Sequence, residues 1–119
     1  MATHHKELEV WKTAHQLALD VYRATQAFPR EELYGLTAQL RRAAVAIAAN
    51  LAEGGARQTR REFLQFSFIA RGSASEVNYL LLVAKDLKYL RQEEHERLSS
   101  RCDSISRMLT TLVKSLRLP

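Results

Sequence analysis

Between Phe28 and Glu76 the chain reads FPREELYGLTAQLRRAAVAIAANLAEGGARQTRREFLQFSFIARGSASE, two long helical patterns joined by a Gly-Gly, arginine-rich turn. The first pattern is packed with alanine and the second is apolar on more than one side. A chain of 119 residues buries only about two thirds of its unfolded surface. That much apolar helix is hard to hide within one copy, so the stretch predicts self-association. It points to no substrate and no reaction.

The spacing of apolar residues predicts four helices and no strand. From about Leu8 to Ala27, Val10, Ala14, Leu17, Val21, Ala24 and Phe28 recur at steps of three and four, with Trp11, Ala18, Tyr22 and Thr25 beside them. That is one broad apolar stripe. Pro29 pushes Phe28 out of helical geometry and ends the segment. Arg30 to Gly35 reads as a short turn, with Glu31 and Glu32 suited to a helix start. The second main helix is expected over Leu36 to Glu53, with Leu36, Leu40, Ala43, Ala44, Ile47 and Leu51 inward. Ala38, Ala46, Ala48 and Ala49 add short side chains that admit close neighbours, and Gly54-Gly55 reads as a stop.

Thr59-Arg60-Arg61-Glu62 is a capping box that opens the third helix. The pattern continues to Leu90, about 32 residues or roughly 48 Å at helical rise. One stripe is Phe63, Phe66, Ala70, Ala74, Val77, Leu81 and Ala84; a second is Leu64, Phe68, Tyr79, Leu82 and Val83, with Ile69 between. Both sides are expected to be buried. Gly72 costs about 1 kcal/mol relative to alanine in a helix, so close packing of another helix at Gly72 and Ala74 is the expected compensation. The fourth helix, Glu93 to Leu116, carries a coiled-coil-like seam of Leu98, Cys102, Ile105, Leu109, Leu112 and Leu116. Short connections make neighbours antiparallel. The prediction is an all-α, up-down-up-down antiparallel four-helix bundle, one domain over residues 1–119.

A net charge of +5, carried mostly by arginine, favours loose attraction to polyanions. Arginine forks suit phosphate better than lysine does. The lone Cys102 makes no intrachain disulfide, no apolar run approaches the roughly 18 residues of a membrane span, and the start Met1-Ala2-Thr3-His4-His5-Lys6 is no signal peptide. A soluble cytoplasmic protein with no membrane role is expected.

Chemistry is sparse. His4, His5, His15 and His95 form no metal-ligand spacing with Cys102 or with one another on a helix face. Gly54-Gly55 lacks the spacing and the preceding strand of a phosphate loop. No serine sits in a nucleophile elbow. Arg91 and His95 are too close, and lie across an expected helix break, to match the Arg-His pair of helical-bundle ribonucleases. No metal, no cofactor and no catalytic residue is therefore expected.

Two groups of polar residues remain. With the turn centred near residue 56 or 57, antiparallel partners on the second and third helices have numbers summing to about 113. Glu76 is then expected near Gln39 and Arg41, and Glu53 near Thr59 and Arg60. Gln39, Asn50, Glu53, Ser73 and Glu76 read as polar ties that fix register. The arginines Arg57, Arg60 and Arg61 sit at the turn, and Arg41, Arg42 and Arg71 lie further along the same helix pair. Arginine at a helix start opposes the dipole, a cost that a phosphate ligand reverses. These six are the candidate nucleic-acid contacts; the bland alternative is an exposed loop partly neutralised by Glu53 and Glu62.

Val10-Trp11, Phe28-Pro29, Tyr34-Gly35-Leu36, Gln39-Leu40-Arg41-Arg42-Ala43, Asn50-Leu51-Ala52-Glu53-Gly54 and Ala70-Arg71-Gly72-Ser73-Ala74-Ser75-Glu76 together resemble the small four-helix-bundle family encoded by intervening sequences within bacterial 23S ribosomal RNA genes. The likeness covers nearly the whole chain. Ala46 departs from it where the family often has serine, which bears on packing. The family is similar to the accessory protein of diversity-generating retroelements, a pentameric barrel that binds nucleic acid and a reverse transcriptase. The resemblance implies a ring-like homo-oligomer, a homopentamer, with an RNA-binding or adaptor role and no enzyme. Partners are therefore expected among further copies of the chain, RNA or DNA, and an adaptor's protein partner. The alternative is a structural protein-interaction bundle that binds no nucleic acid, for which the acidic run Glu93-Glu94-Glu96 leaves room.

Overall fold

In the computed structural model, which describes residues 8–118, four helices pack around one apolar core. They are α1 (Glu9–Thr25), α2 (Leu36–Gly55), α3 (Arg60–Asp86) and α4 (Gln92–Arg117), with a single 3-10 turn, Arg30–Glu32, before α2. There is no strand among the described residues, and the bundle measures 47 × 23 × 19 Å. Short connections and the α1–α2, α2–α3, α3–α4 and α4–α1 contacts give the antiparallel up-down-up-down order. His4 and His5 lie outside the described residues.

The core follows the expected stripes closely on α1 and α2. Ala14, Leu17 and Val21 of α1 meet Leu40, Ala44, Ile47 and Leu51 of α2, all essentially removed from solvent. Helix α3 contributes Ala70, Ala74, Val77, Leu81 and Ala84. On α4 the seam drifts: Leu98, Cys102, Ile105 and Leu109 are buried, but Val113 replaces Leu112 and Leu116, which are only half-buried. The period of a straight helix exceeds the 3.5 of a heptad, so a heptad seam rotates away over several turns.

Helix α2 ends at Gly55, where the sequence put its stop, but without a left-handed glycine cap. Both glycines belong to the last turn of α2, and no glycine has positive φ. A Cβ on Gly54 would lie 2.8 Å from Phe66 Cβ and 3.0 Å from Phe63 Cδ1, so α3 crosses α2 too closely for any side chain there. The capping box at the start of α3 forms as expected, with the Glu62 amide donating to Thr59 Oγ1 at 3.1 Å.

Helix α3 stops four residues before Leu90. Lys88 takes the left-handed conformation (φ 67°), the Tyr89 amide reaches back to Ala84 O at 2.8 Å, and the Lys88 amide donates to Lys85 O at 2.9 Å. That pair of bonds is a Schellman ending, here built on lysine rather than the glycine that would have marked it. Tyr89 then donates its hydroxyl to Glu32 at 3.0 Å, and that bond, with burial, raises the phenol's pKa. Glu32 also accepts from the Leu36 amide at 3.2 Å, so one carboxylate ties the start of α2 to the α3–α4 connection.

Within one copy the second stripe of α3 is only partly covered: Leu64, Phe68 and Val83 are half-buried. Tyr79 is 64% exposed and Ile69 52%, and Leu82 also faces solvent. Close packing holds for Ala74, which is fully buried, with the Cys102 thiol donating to its carbonyl at 3.0 Å. Gly72 is exposed, and a Cβ there would meet nothing within 4 Å. Among the described residues no helix packs on Gly72, because it falls on the outer side of α3.

A buried ion cluster closes the fourth side. Asp20 of α1, whose side chain is 9% exposed, accepts from Arg101 and, at 3.4 Å, from Arg97 of α4. Gln16 at 3.2 Å and Arg23 at 3.3 Å complete the set from α1 itself.

Candidate nucleic-acid interface

The antiparallel order places the α2–α3 turn beside the last turn of α4, as Arg60 shows by donating to Ser115 O at 2.8 Å. At that end Arg57, Arg60 and Arg61 come together as expected, but they are not equivalent. Arg57 is paired with Glu53 at 2.5 Å, lies 3.9 Å from Glu62 and sits 5.1 Å over the Phe66 ring. Arg60 donates to the Ser115 carbonyl at the end of α4, which also accepts from the Leu118 amide at 3.3 Å. Arg61 is exposed and makes no ion pair among the described residues.

The other expected arginines separate. Arg41 turns toward α1, where its Nε donates to Thr25 Oγ1 at 2.8 Å and its guanidinium lies 4.7 Å from the Tyr22 ring. Arg42 lines a polar depression between α2 and α3 with Gln39, Ala43, Ala46, Ser73 and Glu76. Within it Gln39 donates to Glu76 at 3.4 Å, a tie that the antiparallel numbering anticipated. Glu53 pairs with Arg57 rather than with Thr59 or Arg60, and Asn50 bonds only Ala46 O at 2.8 Å, so Asn50 stiffens α2 rather than linking helices.

Arg71 belongs to a cluster that sequence reading missed. Its guanidinium lies 5.2 Å from the Phe68 ring, and Arg117 from the end of α4 lies 5.0 Å from the same ring. The half-buried Phe68 thus holds two guanidiniums at cation–π distance. Lys114 and Arg117 fill the last turn of α4, where cations complement the dipole. That was the available signal: an antiparallel bundle brings the last turn of α4 to the α2–α3 turn. Arg61, Arg71, Lys114 and Arg117 form no ion pair among the described residues. Among the described residues no carboxylate takes up the hydrogen-bonding edges of the two guanidiniums beside Phe68, edges suited to phosphate.

The remaining polar features serve structure. Arg91 is the N-cap residue of α4, and His95 lies within its first turns, its amide bonded to Arg91 O at 2.9 Å. Burial pushes the Cys102 thiol up to about 12, against a weaker opposing backbone hydrogen bond. No group of three or more His, Cys, Asp or Glu among the described residues could hold a metal ion, and no described helix is long and apolar enough to cross a membrane.

The model of the 23S rRNA-intervening sequence protein family matches residues 6–111. Among solved structures, the chain is similar to a protein of unknown function from the S23 ribosomal protein family of Bacteroides thetaiotaomicron VPI-5482. The TM-score is 0.82 at 23% identity, covering 88% of this chain and 95% of the other, which shows a shared fold. No curated protein matches.

Proposed function

This chain belongs to the 23S rRNA-intervening sequence protein family, and from that premise we propose that it is a non-enzymatic, cytoplasmic, oligomeric protein that binds nucleic acid, RNA in the first place. The observation that carries this reading is the set of cations around the α2–α3 turn and the end of α4 that have no carboxylate partner among the described residues: Arg61, Arg71, Lys114 and Arg117, with Arg60 beside them. Arg41 is engaged with α1 and leaves the candidate set. Arg42 stands apart in the α2–α3 depression.

Resemblance to the pentameric accessory protein of diversity-generating retroelements supports a homopentamer. Five copies carry about 25 formal positive charges, and symmetry repeats the basic end around a ring. A polyanion crossing several protomers is held multivalently and with little regard to sequence, since phosphate contacts carry no base information. A protein-adaptor role is the second reading, favoured by the exposed acidic Glu93 and Glu96 at the opposite end of the bundle.

Fluorescence anisotropy on mixed-sequence RNA and DNA tests the proposal. Binding is expected to fall steeply as salt rises from about 50 to 200 mM, with little sequence preference. Joint charge reversal at Arg57, Arg60 and Arg61 should weaken it without changing molecular mass. Absence of binding to either polymer at low salt rejects the nucleic-acid reading and leaves the adaptor reading.

A further inference from the structure

Two surfaces of this bundle are open, similar in length and carry exposed large apolar side chains. The first is the groove between α1 and α2, about 320 Å³, bordered by Trp11, His15, Leu19 and Tyr22 on one side and by Val45 and Ala49 on the other. Between these walls lie the short side chains of Ala18, Ala48 and Ala52. Leu19 is 38% exposed and Val45 42%. The second surface is a seam on the outer side of α3, where Gly72, Ser75, Tyr79 and Leu82 follow at steps of three, four and three. From Trp11 to Tyr22 is roughly 17 Å of helix, and from Gly72 to Leu82 roughly 15 Å.

We propose that the α3 seam of one copy seats in the α1–α2 groove of the next, parallel to α1, so that copies join head to tail through two different faces. The inference rests on the oligomeric part of the function proposed above and adds which surfaces meet. A second copy is the occupant because the chain itself supplies both halves: a groove floored by small residues and a ridge carrying Tyr79 and Leu82. Gly72, where an added Cβ would meet nothing within 4 Å among the described residues, lets the ridge sink between the groove walls.

Charge fixes the direction. Arg41 lies over the Tyr22 ring at one end of the groove, and Asp86, which makes no ion pair among the described residues, lies one turn past Leu82. Parallel seating brings Asp86 to Arg41. Reversed seating would bring Arg71 there instead and set like charges together. Two unlike faces make a heterologous contact, which closes into a ring when the rotation permits.

The test uses two variants of the full chain and sedimentation velocity. Leu19→Glu with Val45→Glu spoils the groove, and Tyr79→Glu with Leu82→Glu spoils the seam; all four side chains face water in one copy, so circular dichroism should show unchanged helix content. Each variant alone is expected to sediment as a single chain of 13.6 kDa. Mixed in equal amounts they should form a dimer and nothing larger, because one intact groove and one intact seam remain. Gly72→Leu, whose Cβ meets nothing among the described residues, should reduce assembly at least tenfold. If either double variant assembles like the wild type, or the mixture stays monomeric, the pairing of these faces is wrong while self-association through other surfaces stands. A wild-type protein that is itself monomeric overturns both.

Discussion

Helix α1 meets its two neighbours in opposite ways. Toward α4 it offers the buried carboxylate of Asp20, met by Arg97 and Arg101, so that side is finished within the chain. Toward α2 it packs Leu17 and Val21 deeply, then leaves Leu19 and Tyr22 facing an open groove. A buried ion pair adds little net stability, because desolvation of the charges offsets their attraction. What it does supply is a side that only one partner helix satisfies. The groove has no such selectivity within the chain, and that is what an interface between copies requires.

The contrast can be broken or sharpened by substitution. The largest effect is expected at neither α1 face but at the crossing of α2 and α3, where Gly54→Leu must displace Phe66 and Phe63. It should cost on the order of 3 kcal/mol or more, since overfilling a tight contact usually costs about 1–3, and chemical denaturation reads the loss. Asp20→Ala should cost about 1–2 kcal/mol. That is less than the 3–5 of a fully buried pair, because Arg97 and Arg101 still reach water. Leu19→Ser, on the open side of the same helix, should change the stability of an isolated chain by under about 0.5 kcal/mol. An equal cost for Asp20→Ala and Leu19→Ser would erase the distinction between the two sides.

Cys102 offers an independent gauge of the same comparison. Its thiol is fully buried and its pKa is pushed up to about 12, so at pH 8 it alkylates only when the bundle opens. The shift is upward, so whatever stability the buried thiol contributes is present below its ordinary range and is lost as pH rises toward about 12. At pH 8 Asp20→Ala should speed alkylation by about tenfold for each 1.4 kcal/mol lost, whereas Leu19→Ser should leave the rate near that of the wild type.

The four helices were readable because their apolar steps of three and four run uninterrupted, and the capping box of Thr59 and Glu62 marks a start by chemistry alone. The end of α3 was not readable, because Lys88 adopts a conformation usually marked by glycine. Asp20 escaped notice because attention to the apolar stripe passes over a charge lodged in it. The pattern that exposes it is a carboxylate three residues after Leu17 facing two arginines, Arg97 and Arg101, four apart on α4. At the candidate site the sequence grouped arginines by proximity in the chain, which served for Arg57, Arg60 and Arg61. It misplaced Arg41, whose direction is set by Thr25 and Tyr22, and it passed over Arg117, which reaches the site only through the antiparallel order. The second stripe of α3 was rightly seen as apolar, but one copy of the chain covers it only in part.

The molecular mass of the wild-type protein in solution, measured by light scattering at micromolar concentration, bears most directly on the idea that the open side of this bundle is closed by further copies. A closed ring of five predicts a mass about five times the 13.6 kDa of one chain, unchanged on dilution across the micromolar range. A stable mass of a single chain under those conditions would contradict it.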